Sequence, residues 1–134
     1  MGTFATLQEA QEHFKNDTFA TNAGMVIDEI GEDYSVCSVT LNDGHKNAYG
    51  GIMGGVIFTL ADLAFAVCAN QIHCLSVAQQ VSINYLSAPK GSRLIAKAHC
   101  IKTGKTTSVI DVNVSDDEGR DVALFVGTAF KLNK

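Results

Sequence analysis

The longest apolar stretch of the chain lies between residues 56 and 69, and its apolar side chains would occupy nearly every side of a helix. Two glycine pairs, Gly50-Gly51 and Gly54-Gly55, precede this stretch. A helix that is hydrophobic all round is buried in the core of a protein. The pattern therefore predicts a central, buried helix that begins near Gly54.

The N-terminal segment shows a different pattern. Residues 7–15 place apolar side chains on one side of a helix, and Thr6 with Glu9 forms the capping-box pattern that starts one. A short amphipathic helix is therefore predicted here. Residues 16–23 show no apolar period, and we predict a loop.

Strand patterns account for most of the remaining chain. Residues 75–86 alternate apolar with polar or small side chains, which is typical of a strand with one buried face, and Gln79 interrupts the apolar face. Five other segments predict strands: residues 25–30, 34–41, 93–102, 106–115 and 122–132. The four strands after the helix are joined by short connections, so they predict an antiparallel meander.

Together these elements predict an α+β fold. The apolar face of a meander has to be buried against another element, and the nearly all-apolar helix can bury it. We expect a curved antiparallel β-sheet wrapped around one long central helix, with a short N-terminal helix. The 134 residues contain 46% hydrophobic side chains and a single proline, which predicts one domain over residues 1–134.

Composition and charge argue against several functions. The formal net charge is −4 and no cluster of Lys or Arg is present, whereas a nucleic-acid surface needs a basic stripe. The stretch from 56 to 69 is too short for a membrane span and contains a carboxylate. The N-terminus lacks the pattern of a signal peptide. We expect a cytoplasmic protein that binds neither nucleic acid nor a membrane.

The cysteines and histidines show no metal-binding spacing. The four cysteines are Cys37, Cys68, Cys74 and Cys100. We interpret them as small hydrophobic residues in a reducing compartment, and we expect neither a metal nor a cofactor.

One carboxylate, Asp62, lies in the middle of the apolar helix. The positions three and four residues away are Phe58, Thr59, Phe65 and Ala66, so no cation on the same helix neutralises it. A buried acid without a partner is costly, and perturbed acids concentrate at functional sites. We favour a catalytic role, with a structural acid hydrogen-bonded to backbone as the alternative.

The start of the same helix supplies a second candidate group. Its first N–H groups have no partner within the helix and carry the positive end of the dipole, so at Gly54 they suit a developing oxyanion. Asp62 lies roughly 12 Å further along, at about 1.5 Å per residue, too far to act on the same carbonyl. Two helices antiparallel around a two-fold axis near Phe58 would bring these groups together. The spacing favours a site shared across a dimer.

These residues carry a family resemblance. The run from Asn47 to Asp62 with its Gly54-Gly55 pair, followed by the strand at 82–86, resembles the hotdog-fold acyl-CoA thioesterases of the PaaI, or phenylacetate-pathway, type. The resemblance covers nearly the whole domain. It implies a hotdog homodimer, often doubled to a homotetramer as a dimer of dimers, that hydrolyses acyl-CoA thioesters.

The resemblance also implies roles for single residues. Gly54 matches the family glycine whose backbone N–H forms the oxyanion hole. Asp62 of the facing subunit matches the carboxylate that acts as general base or nucleophile. Asn47 matches the family asparagine that supports the loop or positions water.

Met53 departs from the family pattern, which usually has His immediately before the glycine pair. Met cannot donate a hydrogen bond to the thioester carbonyl. Losing one such donor costs roughly 10²–10³ in rate. Some relatives also place Ser or Thr on the next strand, where this chain has Gln79 and Gln80. The alternative function is therefore a catalytically weakened acyl-CoA-binding or regulatory protein on the same fold.

We predict an acyl-CoA thioesterase acting on a small aromatic or a medium-chain acyl group. The spacing of the candidate pocket residues does not choose between these two acyl classes. The predicted substrate-binding residues are Met53, Gly55, Phe58, Gln79 and Gln80. A dehydratase on the same fold is a weaker alternative, because it needs a His paired with the acid and none lies near the motif.

Overall fold

A computed structural model describes residues 2–133; Met1 and Lys134, the ends of the predicted domain, lie outside the described residues. The predicted hotdog fold is confirmed: one antiparallel sheet of six strands surrounds a long helix that contacts every strand. The elements in chain order are α1 (Leu7–Phe14), α2 (Thr18–Asn22), β1 (Val26–Ile30), β2 (Tyr34–Thr40), a 3₁₀ turn (Asp43–His45), α3 (Gly54–Ile72), β3 (Ser76–Tyr85), β4 (Arg93–Thr103), β5 (Thr107–Asp116) and β6 (Asp121–Lys131).

Helix α1 forms as the capping-box pattern predicts. The Thr6 hydroxyl accepts a hydrogen bond from the Glu9 N–H at 3.2 Å, and the Glu9 carboxylate accepts one from the Thr6 N–H at 3.2 Å. Ala10 and Phe14 are buried on its inner side. The capping residues satisfy N–H groups that the first helical turn leaves unpaired.

The loop predicted for residues 16–23 is wrong, because the short helix α2 lies there. The Asp17 carbonyl accepts a hydrogen bond from the Thr21 N–H at 3.0 Å, and Ala20 is buried. Helices this short are marginal in water, so packing stabilises α2 rather than local propensity. One apolar position, Ala20, is too weak a pattern in the sequence to predict this helix.

Helix α3 confirms the prediction of a central buried helix that begins at Gly54. The Ser35 hydroxyl on β2 donates to the Ala64 carbonyl at 2.6 Å and ties the helix to the sheet. By length and composition α3 could span a membrane, but most of it is buried, as in a core helix. One side of α3 remains partly or fully exposed, and we call it the open stripe: Gly55, Phe58, Thr59, Asp62 and Ala66.

The strands after α3 do not form the predicted four-stranded meander. The order in the sheet is β1-β2-β4-β5-β6-β3, so β3 pairs with β6 and β4 pairs with β2. The two hairpins β4-β5 and β5-β6 do form. Hairpin loops contain about two to five residues. Residues 86–92 are long enough to carry the chain from one region of the sheet to another, which is why adjacent strands in sequence are not adjacent in space.

Strand β3 does not bury one apolar face as predicted. It is an edge strand, and most of its residues are exposed. Gln79 is the extra residue of a β-bulge, and such a residue reverses which side chains face inward. Val77 therefore lies beside Phe130 on the outer face, whereas Val81 lies beside the buried Gly127 and faces α3.

Candidate active site

The start of α3 presents unpaired hydrogen-bond donors. The Met53 N–H donates to the His45 carbonyl at 2.9 Å, and the Met53 side chain makes no capping bond. Within residues 2–133, the N–H groups of Gly54 and Gly55 donate a hydrogen bond to no acceptor. These N–H groups have the position and dipole that suit a thioester carbonyl oxygen as it becomes negative.

Tyr85 lies against this helix start and was not among the predicted site residues. Its hydroxyl donates to the Gly54 carbonyl at 3.2 Å, and a Cβ added at Gly54 would lie 3.3 Å from its ring. The two residues are far apart in sequence, so only the position of β3 beside α3 brings them together. Glycine at position 54 keeps the N–H accessible beside this ring.

Asn47 organises the turn that leads into the helix. Its side-chain oxygen accepts hydrogen bonds from the N–H groups of Tyr49 at 2.9 Å and Gly51 at 3.1 Å. Gly50 has a φ of +83°, a conformation that favours glycine. The sequence leaves two roles open for Asn47, support of the loop and positioning of water. These hydrogen bonds are those of a residue that supports the loop. A role for Asn47 in positioning water stays a prediction.

His45 is a second residue that sequence reasoning missed. Its ring is buried; Nδ1 accepts from the Asn42 N–H at 3.1 Å, and Nε2 donates to the Ala23 carbonyl at 2.8 Å. The tautomer follows from these two partners. The ring thus joins the end of α2 to the turn whose carbonyl holds Met53. A lone histidine carries no sequence pattern that reveals such a structural role.

Asp62 lies on the open stripe in a pocket of about 450 Å³ between α2 and α3, which we call the Asp62 pocket. Burial and, second, the negative charge of Asp17 raise the pKa of Asp62 above its usual value. Within residues 2–133 no hydrogen-bond donor or cation contacts its carboxylate. A carboxylate with a raised pKa is a stronger base than an exposed one.

Phe58 shares this pocket with Asp62 and supplies part of its apolar wall. Its ring packs edge-on against Phe125, with centroids 5.4 Å apart, which fixes its orientation. Met53 and Gly55 line a different pocket of about 510 Å³ at the start of α3. The predicted pocket residues therefore divide between two neighbouring pockets rather than forming one.

Gln79 and Gln80 line neither pocket in the single chain. Both lie exposed on the edge strand β3, and the Gln80 side chain donates to the Val81 carbonyl at 3.3 Å. The structure consequently brings Gly54, Gly55 and Met53 together at the helix start, and Asp62 with Phe58 further along. We call these two groups the half-sites.

The described residues contain no cluster of three or more His, Cys, Asp or Glu side chains suited to a metal ion. The four cysteines are free thiols. Burial raises the pKa of the Cys68 thiol to about 12, which keeps it protonated and unreactive. Asp62 and the backbone N–H groups at the start of α3 remain the candidate groups for the chemistry of the site.

The model of the family described as the thioesterase superfamily matches residues 49–123. This stretch includes both half-sites. The chain belongs to the thioesterase superfamily.

Relatives and solved structures agree with this membership. A putative esterase from Archaeoglobus fulgidus is 34% identical over 122 residues, which cover 90% of this chain and 79% of the relative. Acyl-coenzyme A thioesterase PaaI from Escherichia coli is 31% identical over 93% of this chain and 90% of its own length. The E. coli PaaI structure superposes with a TM-score of 0.88, covering 94% of this chain and 92% of that one at 30% identity.

A second similar structure was solved with coenzyme A. It is a hypothetical thioesterase from Streptococcus pneumoniae, 31% identical to this chain, with a TM-score of 0.82 over 90% of this chain and 98% of its own. The predictions of a PaaI-like family, a hotdog fold and a thioester hydrolase are confirmed. The roles of the individual site residues remain predictions.

Proposed function

We propose that this protein hydrolyses acyl-CoA thioesters in two equivalent sites, each shared between the subunits of a homodimer. The observation that carries the proposal is the separation of the half-sites along one helix. Gly54 and Asp62 are roughly 12 Å apart at about 1.5 Å per helical residue, while a thioester carbonyl group needs both within hydrogen-bonding reach.

Two features of the single chain support a second copy as the missing partner. Strand β3 is an exposed sheet edge, and unpaired strand edges readily accept another strand. The open stripe of α3 leaves Phe58 and Asp62 partly uncovered, although most of the other residues of the helix are buried. A second subunit, related by a two-fold axis beside the open stripe, would cover both the β3 edge and the open stripe. The symmetry would make the two sites equivalent.

In this arrangement the chemistry follows from the two half-sites. The thioester carbonyl oxygen accepts hydrogen bonds from the N–H groups of Gly54 and Gly55. Asp62 of the partner subunit takes a proton from a water molecule, whose oxygen attacks the carbonyl carbon. The tetrahedral intermediate collapses, the C–S bond breaks, and the CoA thiolate leaves as the acid is released. The proton on Asp62 passes to the thiolate, which restores the carboxylate. Direct attack by Asp62, followed by hydrolysis of the resulting anhydride, is the alternative first step.

The walls of the Asp62 pocket support the proposed class of acyl group. Phe19, Phe58, Leu63 and Ala66 form the apolar part of its lining, and its volume of about 450 Å³ suits a small aromatic or a medium-chain acyl group. The S. pneumoniae relative solved with coenzyme A supports CoA as the carrier. The E. coli relative named as an acyl-coenzyme A thioesterase supports hydrolysis as the reaction.

We further propose a homotetramer built from two dimers, and a cytoplasmic location. The outer faces of β3 and β6 carry apolar and uncharged polar residues, including Val77, Leu124 and Phe130, which are partly exposed. A face without charges is suited to contact between dimers. Four free cysteines are compatible with a reducing compartment.

A thiol-release assay on a panel of acyl-CoA thioesters tests the function. We expect turnover of aromatic and medium-chain thioesters by the wild-type protein, and a loss of roughly 10²–10⁴ in rate for Asp62→Asn, since general-base catalysis contributes that much. Wild-type turnover that Asp62→Asn leaves unchanged would exclude Asp62 as the base.

The rival function, acyl-CoA binding without hydrolysis, has one observation in its favour. Met53 is 56% exposed at the helix start and offers no donor to the substrate carbonyl. Calorimetric binding of the same thioesters separates the two functions. Binding without thiol release by the wild-type protein supports the rival and contradicts the hydrolase.

A further inference from the structure

A second carboxylate, Asp17, lines the Asp62 pocket. It lies at the N-terminal cap of α2, across the pocket from the open stripe of α3. The other residues that line this pocket, from both helices, are uncharged. Among the described residues, the two ionisable groups facing this pocket are therefore both acids, and no cation balances them.

The Asp17 side chain does not cap helix α2. An aspartate in the capping position usually accepts a hydrogen bond from the first turn, but here the side chain makes no such bond. Within residues 2–133 no hydrogen bond or ion pair engages its carboxylate. No hydrogen bond therefore holds the Asp17 carboxylate against the helix, and the carboxylate faces the pocket and the adjacent solvent.

In the proposed reaction the Asp62 pocket holds the acyl group. The attacked carbon lies within a few ångströms of the Asp62 carboxylate, so the first acyl carbons pass beside it. The apolar walls that follow belong to Phe58, Leu63 and Phe19. An acyl group that extends along these walls toward α2 brings its far end toward Asp17.

Resting on the proposed function, we propose that Asp17 is a specificity-determining residue that selects neutral acyl groups and rejects those ending in a carboxylate. A terminal carboxylate entering the pocket meets the negative charges of Asp17 and Asp62, and like charges repel. A neutral alkyl or aryl group has no such penalty. Phe19 adds to the preference for apolar groups by forming the wall beside Asp17.

Two acyl-CoA thioesters of equal chain length provide the test: valeryl-CoA, which ends in a methyl group, and glutaryl-CoA, which ends in a carboxylate. We expect Asp17→Asn to raise kcat/KM for glutaryl-CoA relative to valeryl-CoA on the order of tenfold, by removing one charge. Because Asp17 is exposed, salt should weaken the wild-type discrimination and leave the variant's nearly unchanged. Asparagine is also a good helix cap, so the fold is retained.

Asp43→Asn is the matched control, because it removes one negative charge from a side chain that pairs with Lys46 and does not line the Asp62 pocket. It should leave the glutaryl-to-valeryl ratio unchanged. An equal rise in both variants, or an unchanged ratio in Asp17→Asn, overturns the proposal.

Binding of non-hydrolysable thioether analogues of the same two compounds gives the ratio independently of turnover. A protein that hydrolyses neither thioester but shows the Asp17-dependent binding ratio contradicts the proposed hydrolysis and supports the selectivity. A second readout is the pH profile of valeryl-CoA hydrolysis. Its acid limb should move to lower pH in Asp17→Asn, because the Asp17 charge contributes to the raised pKa of Asp62.

Discussion

Asp62 illustrates a conflict between stability and chemistry at a single residue. Its carboxylate lies on a helix whose other exposed neighbours are apolar or small, and within residues 2–133 it has no hydrogen-bond partner. Burial penalises its charged form, which raises both its pKa and its strength as a base. In the proposed mechanism this costly environment is what makes Asp62 a stronger base.

The first prediction concerns the pH dependence of stability. The folded-state pKa of Asp62 lies above the usual value of 3.8, so the stability that the protonated form contributes is fully present below that pH. This stability is lost as pH rises through the folded-state pKa. Asparagine avoids the loss, and we expect Asp62→Asn to melt at a higher temperature than the wild type at pH 7.

Thermal unfolding followed by circular dichroism at several pH values checks this. The difference in melting temperature should shrink toward zero at a pH below 3.8, where both side chains are neutral. A variant that melts lower than the wild type at pH 7 would show that the carboxylate is stabilised in the fold, contrary to the desolvation described above.

At the scale of the elements, the start of α3 carries the proposed oxyanion site, which consists of backbone N–H groups. Asn47 and Gly50 shape the turn before it, and the His45 carbonyl holds the last N–H before the helix. The groups that bind substrate in this proposal are main-chain groups, so side-chain substitutions alone do not test them.

Gly54→Pro removes one of these N–H groups while keeping the helix. Proline is favoured at the first helical position, and Met53 before it has φ of −61° and ψ of 134°, the extended conformation that a following proline requires. We expect kcat for a neutral acyl-CoA to fall roughly 10²–10³-fold, the usual cost of one oxyanion donor.

Gly54→Ala is the control, since it adds a Cβ at the same place beside Tyr85 but retains the N–H. Steady-state kinetics of the two variants, with circular dichroism to verify helix content, separate the donor from the added bulk. Equal losses in both variants would assign the effect to steric contact with Tyr85 rather than to the missing hydrogen bond.

At the scale of the whole molecule, the proposed site exists only when two copies combine. This leads to a complementation prediction. In a heterodimer of Gly54→Pro and Asp62→Asn subunits, one site receives both substituted residues and the other receives an intact Gly54 and an intact Asp62. Random mixing makes about half the dimers heterodimers, each with one working site, so about a quarter of wild-type activity should return.

Co-expression of the two variants with different affinity tags, followed by purification through both tags under conditions where size-exclusion chromatography shows dimers, isolates the heterodimer for a thiol-release assay. The parent homodimers should both be nearly inactive. A purified heterodimer as inactive as its parents would place Gly54 and Asp62 of the same subunit in one site and contradict the shared arrangement.

Much of the fold was predictable from local pattern. The all-round apolar character of α3 identified the central helix, and the capping pair Thr6 and Glu9 identified α1. Elements that depend on distant contacts were not predictable. Helix α2 forms because Ala20 packs into the core. The position of β3 beside β6 depends on a crossover through residues 86–92, and the sequence of this segment contains no pattern that predicts it.

The candidate site divides in the same way. The sequence by itself determined that a carboxylate lies in an apolar helix and that a glycine pair begins the same helix, because both are matters of spacing along one element. Only the tertiary structure decided which residues meet across elements: Tyr85 with Gly54, His45 with Ala23, and Asp17 with the Asp62 pocket. These contacts join residues far apart in the chain, and packing of whole elements, not local periodicity, sets them.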